Sequence, residues 1–255
     1  MKNERLTIFA YQLALLLGIL AVWETSAALG WIDAQWVSSP SLLAGAFKQS
    51  LTNGELLRHT GVTLGEAFAG LAVGVLAGVL LGLLLGLSRT LGATLEPFIV
   101  ALNALPRVAL APLIVMFVGI GFASKFLLAF SLVVVPMMIN TYEGIKSVDP
   151  VLINALRVLS ASRLQVFFKL LLPACVPWLF SGIRVSISFA IVGAIVGELI
   201  SSRAGIGYMI DSAAGSYDIT GMLMPLIALM LVAFIFDRFV LWTSDRLLRW
   251  RETAR

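Results

Sequence analysis

Charge is scarce in this 255-residue chain: 13% of residues are charged, against about 25% in soluble domains. Cysteine is nearly absent, and the single Cys175 excludes an internal disulfide and any thiolate metal cluster. The one histidine, His59, has no second histidine or carboxylate cluster at ligand spacing, so no metal is expected. There is no G-x-S-x-G elbow, no H-E-x-x-H pair and no G-x-x-x-x-G-K-[ST] phosphate loop, which argues against catalysis in this chain and leaves it without a cofactor of its own. Apolar residues make up 60%. That excess excludes disorder, which needs few apolar residues, and disfavours a soluble enzyme. The net charge of +4 is accounted for by loop residues, and no nucleic-acid partner is expected.

Long uncharged runs take the place of charge. Eighteen uncharged residues separate Arg5 from Glu24, 22 separate Glu66 from Arg89, and 17 lie on each side of Lys125, between Arg107 and Glu143. Arg184 is the only charge between Lys169 and Glu198, and 18 residues separate Asp218 from Asp237. A bilayer core needs about 20 apolar residues per helix. The runs predict an all-α membrane protein with six transmembrane helices at about 6–30, 60–88, 94–118, 123–144, 164–198 and 219–246. The first run also has a signal-peptide reading, because Lys2 and Arg5 precede it and Ser26-Ala27-Ala28 is small. Signal h-regions usually span about 7–15 residues, so its length favours a retained anchor.

The positive-inside rule sets the expected orientation. With the N-terminus in the cytoplasm, eleven basic residues fall inside: Lys2, Arg5, Arg89, Lys146, Arg157, Arg163, Lys169, Arg246, Arg249, Arg251 and Arg255. Four fall outside: Lys48, Arg58, Lys125 and Arg203. Both termini are therefore expected in the cytoplasm. Residues 31–59 and 199–218 then lie outside, with Trp31 and Trp36 at the interface and a short surface helix over Pro40–Leu51. The 145–163 segment is the largest inner loop and the natural docking point for a cytoplasmic partner.

In the second helix Gly70, Gly74, Gly78, Gly82 and Gly86 recur every four residues. Small residues at that spacing let two backbones approach in lipid. The stripe fits packing within the bundle, or an interface that slides or joins two copies.

The inner loop carries the most specific signal. Asp149 can cap a helix whose first turn holds Pro150, and Val151, Ala155, Leu156 and Leu159 fall near one face. Asn154-Ala155-Leu156, three residues, Ser160, nine residues and Leu170-Leu171-Leu172-Pro173 have the spacing of E-A-A-x3-G-x9-I-x-L-P. This resembles the EAA loop of permease subunits of bacterial ABC importers. Asn103-Ala104-Leu105-Pro106-Arg107-Val108-Ala109-Leu110-Ala111-Pro112-Leu113, Gly119-Ile120-Gly121, Ile139-Asn140-Thr141-Tyr142-Glu143-Gly144, Pro173-Ala174-Cys175-Val176-Pro177, Ser181-Gly182-Ile183-Arg184, Gly197-Glu198 and Gly205-Ile206-Gly207 extend the resemblance to the nitrate/sulfonate/taurine type over about 40–240.

The resemblance implies a type I importer (MetI-like) bundle with a cytoplasmic coupling helix. Residues 1–58 would form an N-terminal anchor with a periplasmic surface segment, and 59–246 a five-helix core carrying the coupling loop at about 145–173. Residues 247–255 would be a basic cytoplasmic tail. It also implies a second permease copy in a homodimer or heterodimer, two cytoplasmic ATPases that bind ATP and Mg, and a periplasmic or lipid-anchored substrate-binding protein in a bacterial inner membrane. Asn154, Ala155, Leu156, Arg157, Ser160, Ala161, Ser162, Leu170, Leu172 and Pro173 take the coupling-loop positions. Three positions depart from the pattern: Asn154 replaces the glutamate, Leu156 the second alanine and Ser160 the turn glycine. Serine held at positive φ costs about 1–2 kcal/mol.

Charges within the spans are the remaining candidates. Arg107 and Arg184 fall near mid-membrane, where a charge costs about 2.5–3.5 kcal/mol on translocon-based scales. Each is expected either in a structural pair or carbonyl contact, or on a pathway that favours an anionic solute. Glu198 is expected to cap or gate the outer end of the fifth helix. Asp237 and Arg238 would form a local pair or snorkel. A secondary transporter or channel is the alternative class, but no half-length repeat is evident. The expected solute is a small organic anion such as a sulfonate, taurine, nitrate or aromatic acid.

Overall fold

The computed structural model describes residues 2–247, and Arg249, Arg251 and Arg255 of the expected basic tail lie outside the described residues. Those residues are helical, with no strand among them. The chain opens with α1 (Lys2–Ala28), α2 (Ala34–Val37) and α3 (Pro40–Thr52). The long α4 (Glu55–Leu87) follows, then α5 (Arg89–Ala104), a 3-10 turn (Arg107–Leu110) and α6 (Ala111–Val118). Next come α7 (Phe122–Lys146), α8 (Pro150–Val158), α9 (Arg163–Val166), a π-helical turn (Phe167–Leu171) and α10 (Leu172–Ile200). The described chain ends with α11 (Ile206–Gly215) and α12 (Ile219–Leu247).

Among the described residues five helices, counting 163–200 as one, are long and apolar enough to cross a membrane, and α5 with α6 makes a sixth apolar stretch bent at a short break. The third span is therefore not the continuous helix expected over 94–118. It bends by 75° between its two halves. Pro106 has no N–H to continue the helix, and Leu105 before it is extended at φ −66° and ψ 126°, the conformation a following proline favours.

The core is α7 held between α4 and α10. A Cβ built on Gly70 would come within 2.5 Å of Ala129 Cβ, and one on Gly86 within 2.8 Å of Ile145 Cβ. Gly74, Gly78 and Gly82 meet Val133, Met137, Met138 and Thr141 in the same way. The glycine stripe of α4 is thus spent on α7 of its own chain, where helices gain packing only by close approach. From the other side, Gly193 of α10 packs on the Ala129 backbone and Gly182 on Met137. By contrast, the apolar window of α1 is unburied. Two bonds tie its end to the chain beyond: Trp23 Nε1–H donates to Ser38 O at 3.1 Å, and Ser41 N–H to Glu24 Oε2 at 2.9 Å. The surface helix expected over Pro40–Leu51 is α3, started by Ser39, whose hydroxyl accepts from Leu42 N–H.

Candidate functional site

One end of the bundle is built around α8. The Asp149 side chain accepts from Val151 N–H at 2.8 Å, with Pro150 in the first turn. Ile153 and Leu156 face the bundle and pack with Ile145, Val148, Val166, Leu171 and Cys175. The opposite face is apolar and bare: Val151, Leu152, Val158 at 85% and Leu159 at 76% are exposed. Leu156 thus turns inward, away from the Val151, Ala155 and Leu159 face expected of it. Ser160 N–H donates to Arg157 O and Ala161 N–H to Leu156 O, at 2.9 and 3.0 Å, a glycine-type helix stop. Ser160 sits at φ +59°, so the backbone keeps the turn without the glycine.

The next helix starts with a reciprocal cap. Gln165 N–H donates to Ser162 Oγ, and Ser162 N–H to Gln165 Oε1. The Ser-x-x-Gln spacing announces this capping box in the sequence. Asn154, Ala155, Arg157, Ser160 and Ser162 are exposed, whereas Ala161, Leu170, Leu172 and Pro173 are partly buried where the loop meets α10.

Arg107 lies at the break of the bent span. Its guanidinium donates to Ser131 O of α7 at 2.8 Å and to Asn103 Oδ1 at 3.3 Å. The carbonyl it meets belongs to α7, not to the turn that Pro106 and Pro112 open. No carboxylate pairs with it among the described residues. Beside it is a cavity of about 470 Å³ lined by Asn103, Leu105, Leu132, Asn140 and Phe189 among others. Asn140 Nδ2 is held by Pro136 O at 2.9 Å.

Arg184 and Arg107 have different partners. Arg184 forms a two-pronged pair with Asp237 of α12, at 2.5 and 3.1 Å. The local Asp237–Arg238 pair is thereby corrected: Asp237 reaches across to α10, and Arg238 lies over the Phe234 ring at 4.8 Å. Ser181, Arg184, Val185, Ser188, Phe189 and Val192 make one open face of α10, and Phe189 joins that face to the Arg107 cavity.

Glu198 lies at the end away from α8. Thr63 Oγ1–H donates to its Oε1 at 2.7 Å and Gly207 N–H to its Oε2 at 2.6 Å. Ile206 N–H donates to Thr63 Oγ1 and Gly205 N–H to His59 Nδ1, both at 2.8 Å. His59, isolated in the sequence, is thus one of three side chains that take the first amides of α11. His59, Thr63 and Glu66 recur at spacings of four and three on one face of an apolar helix, the signal by which the sequence shows this cluster. Among the described residues no group of histidine, cysteine and carboxylates is placed to hold a metal.

Comparison with known proteins agrees with this architecture. The family described as "Binding-protein-dependent transport system inner membrane component" matches residues 74–249. The riboflavin transport system permease protein RibX of Chloroflexus aurantiacus is 37% identical over 92% of this chain and 88% of its own. SsuC of Bacillus subtilis, whose name refers to aliphatic sulfonate transport, is 32% identical over 92% and 85%. A chain from the inward-facing MetNI methionine ABC transporter superposes with a TM-score of 0.66 at 20% identity, covering 78% of this chain and 96% of that one. With the family matched across most of its length and the helical fold shared, this chain belongs to the binding-protein-dependent inner-membrane components, the non-enzymatic permease subunits of ABC importers.

Proposed function

We propose that this subunit lines the inward path of a small organic anion and that Arg107 is the residue the anion meets. The observation that carries the reading is the unpaired guanidinium of Arg107 beside a cavity of about 470 Å³ at the break of a membrane span. A charge at that depth needs a polar surrounding or a partner. Two neutral acceptors hold the guanidinium in place, and its remaining N–H groups are free to receive a carboxylate or sulfonate. Arg184 is already matched by Asp237 and serves structure instead. The names of relatives point to a sulfonate in one case and riboflavin in another, so the cation is what favours the anion.

In this reading the α8 end is cytoplasmic, both termini lie inside a bacterial inner membrane, and α11 faces the periplasm. The bare apolar face of α8, with Asn154, Ala155, Arg157 and Ser160 around it, receives one of two ATPases, which bind the ATP and Mg. Leu170, Leu172 and Pro173 carry its displacement into α10. Asn154 lacks the carboxylate that would meet a basic groove, so the contact rests on apolar burial. A second permease, identical or related, completes the pathway, and a substrate-binding protein delivers the solute.

The test is uptake by vesicles holding the subunit with its co-purified partners. The panel comprises alkanesulfonates, aromatic carboxylates and riboflavin. We expect one of the anions to be taken up and Arg107→Gln to reduce that uptake about tenfold or more, the loss of one charge-assisted contact of about 1.5–3 kcal/mol. Uptake of riboflavin alone, or undiminished anion uptake by the variant, refutes the reading.

A further inference from the structure

The end of the bundle around α11 is closed by a buried cluster that the solute path does not use. His59, Thr63 and Glu66 come from α4, Lys125 from α7 and Glu198 from α10, and none is more than 6% exposed. Both oxygens of Glu198 accept hydrogen bonds, from Thr63 and Gly207. Glu66 lies one turn beyond Thr63 on the same face of α4, the face whose Thr63 meets Glu198 of α10, and Lys125 packs on Gly197 beside Glu198. Lys125 Nζ also donates to Ser201 O at 2.8 Å. Glu66 Oε2 is fully enclosed and has no hydrogen-bond partner among the described residues.

The charges do not balance as they stand. Two carboxyl groups face one ammonium. His59 supplies no positive charge, because its Nδ1 accepts from Gly205 N–H and an imidazolium has no accepting nitrogen. Tyr208 of α11 stacks its ring on His59 at 5.8 Å, and Arg203 of the 201–205 loop is exposed. Two ionised carboxylates buried in the same cluster would leave a net negative charge inside an apolar bundle, a costly arrangement.

We propose that Glu66 and Glu198 form a binding site for a single proton, with the Glu66 hydroxyl donating to the Glu198 carboxylate. The proton satisfies the orphaned carboxyl of Glu66. It also leaves Glu198 charged, matched by Lys125 and seated on Gly207 N–H at the start of α11. Its removal sets two negative charges face to face and pushes Glu198 away from the amides of 205–207. The site makes the junction of α4, α7, α10 and α11 sensitive to pH. It rests on charge and hydrogen-bond geometry, independently of which solute is carried.

Infrared spectroscopy of the full chain in lipid nanodiscs reads the proton directly. At neutral pH the wild type should show a protonated-carboxyl C=O stretch that shifts in D2O and is missing from Glu66→Gln. Hydrogen exchange at 205–207, compared between the two proteins from about pH 6.5 to about pH 9, reads the consequence. The wild type should exchange about tenfold faster than Glu66→Gln at the alkaline end, and the two should agree at the acid end. An infrared difference without a carboxyl band, or equal exchange at every pH, overturns the site. Should Glu66→Gln fail to accumulate, Lys125→Gln replaces it. Loss of the ammonium calls for a second proton, so the carboxyl band should grow, and an unchanged band overturns the proposal.

Discussion

Ala129 of α7 is packed by Gly70 of α4 on one side and Gly193 of α10 on the other, and adding one methyl group on either side of it should separate the helices. Gly193→Ala would place a Cβ 2.6 Å from Ala129 Cα, 2.9 Å from its N and 3.2 Å from Leu128 C. Carbon atoms rest at about 3.5–4.0 Å, so α10 must retreat by about an ångström. Every obstructing atom is backbone, and no rotamer change can relieve the contact. Overpacking typically costs about 1–3 kcal/mol, and this case belongs at the upper end. Gly70→Ala attacks from the α4 side, meeting Ala129 Cβ at 2.5 Å and Phe130 N at 2.9 Å. Gly65→Ala is the control, since nothing lies within 4 Å of the added atom and helix propensity alone predicts a gain of about 0.5–1 kcal/mol. Unfolding in mixed micelles by sodium dodecyl sulfate titration should order the three proteins as control, Gly70→Ala, Gly193→Ala, from most to least stable. Ala129→Gly adds a sharper discrimination. It removes the Cβ that Gly70→Ala strikes and should restore part of that loss, while leaving the Gly193→Ala defect intact. Equal stability of Gly193→Ala and Gly65→Ala would refute the packing argument.

Ser160→Gly should stabilise the α8 stop by about 1 kcal/mol, because glycine adopts φ +59° without the Cβ penalty. Slower hydrogen exchange at Ser160 and Ala161 checks this, and faster exchange contradicts it. Arg184→Gln and Asp237→Asn should each lower the yield of folded protein, whereas the double replacement should recover much of it, since only the single changes leave a lone charge. Quantitative membrane expression reads both effects, and a double variant worse than either single one would show that the pair is not the cause. Ala155→Glu places a charge on the bare apolar face of α8 and should abolish retention of the ATPase on affinity purification while the subunit still inserts. Normal retention would remove α8 as the docking surface.

Much of the helical layout is readable in the sequence because the bilayer imposes a length on each apolar run. The uncharged segments locate the spans to within a few residues at most ends, and Asp149-Pro150 marks the start of α8. The bend of the third span is less evident, since a single Pro106 can kink a helix gently or break it, and the extended Leu105 chooses the break. Arg107 and Arg184 look alike in sequence, each a lone cation in an apolar run. Asp237 lies 53 residues from Arg184, and only the crossing of α10 and α12 reveals that one arginine is matched and the other is not. His59 likewise appears solitary until Gly205, 146 residues away, folds back onto its ring.

The sequence by itself determined the class of this protein. Apolar run length, scarce charge and the ordered loop motif are local properties, and the membrane converts each of them directly into structure. The partners of each polar group were decided only by the tertiary structure. Which side of α4 meets α7, which arginine lacks a carboxylate and which carboxyls face each other depend on how long helices cross. A one-dimensional pattern states where polar groups are placed along each helix, whereas the low-dielectric interior makes their energies depend on the distances between helices.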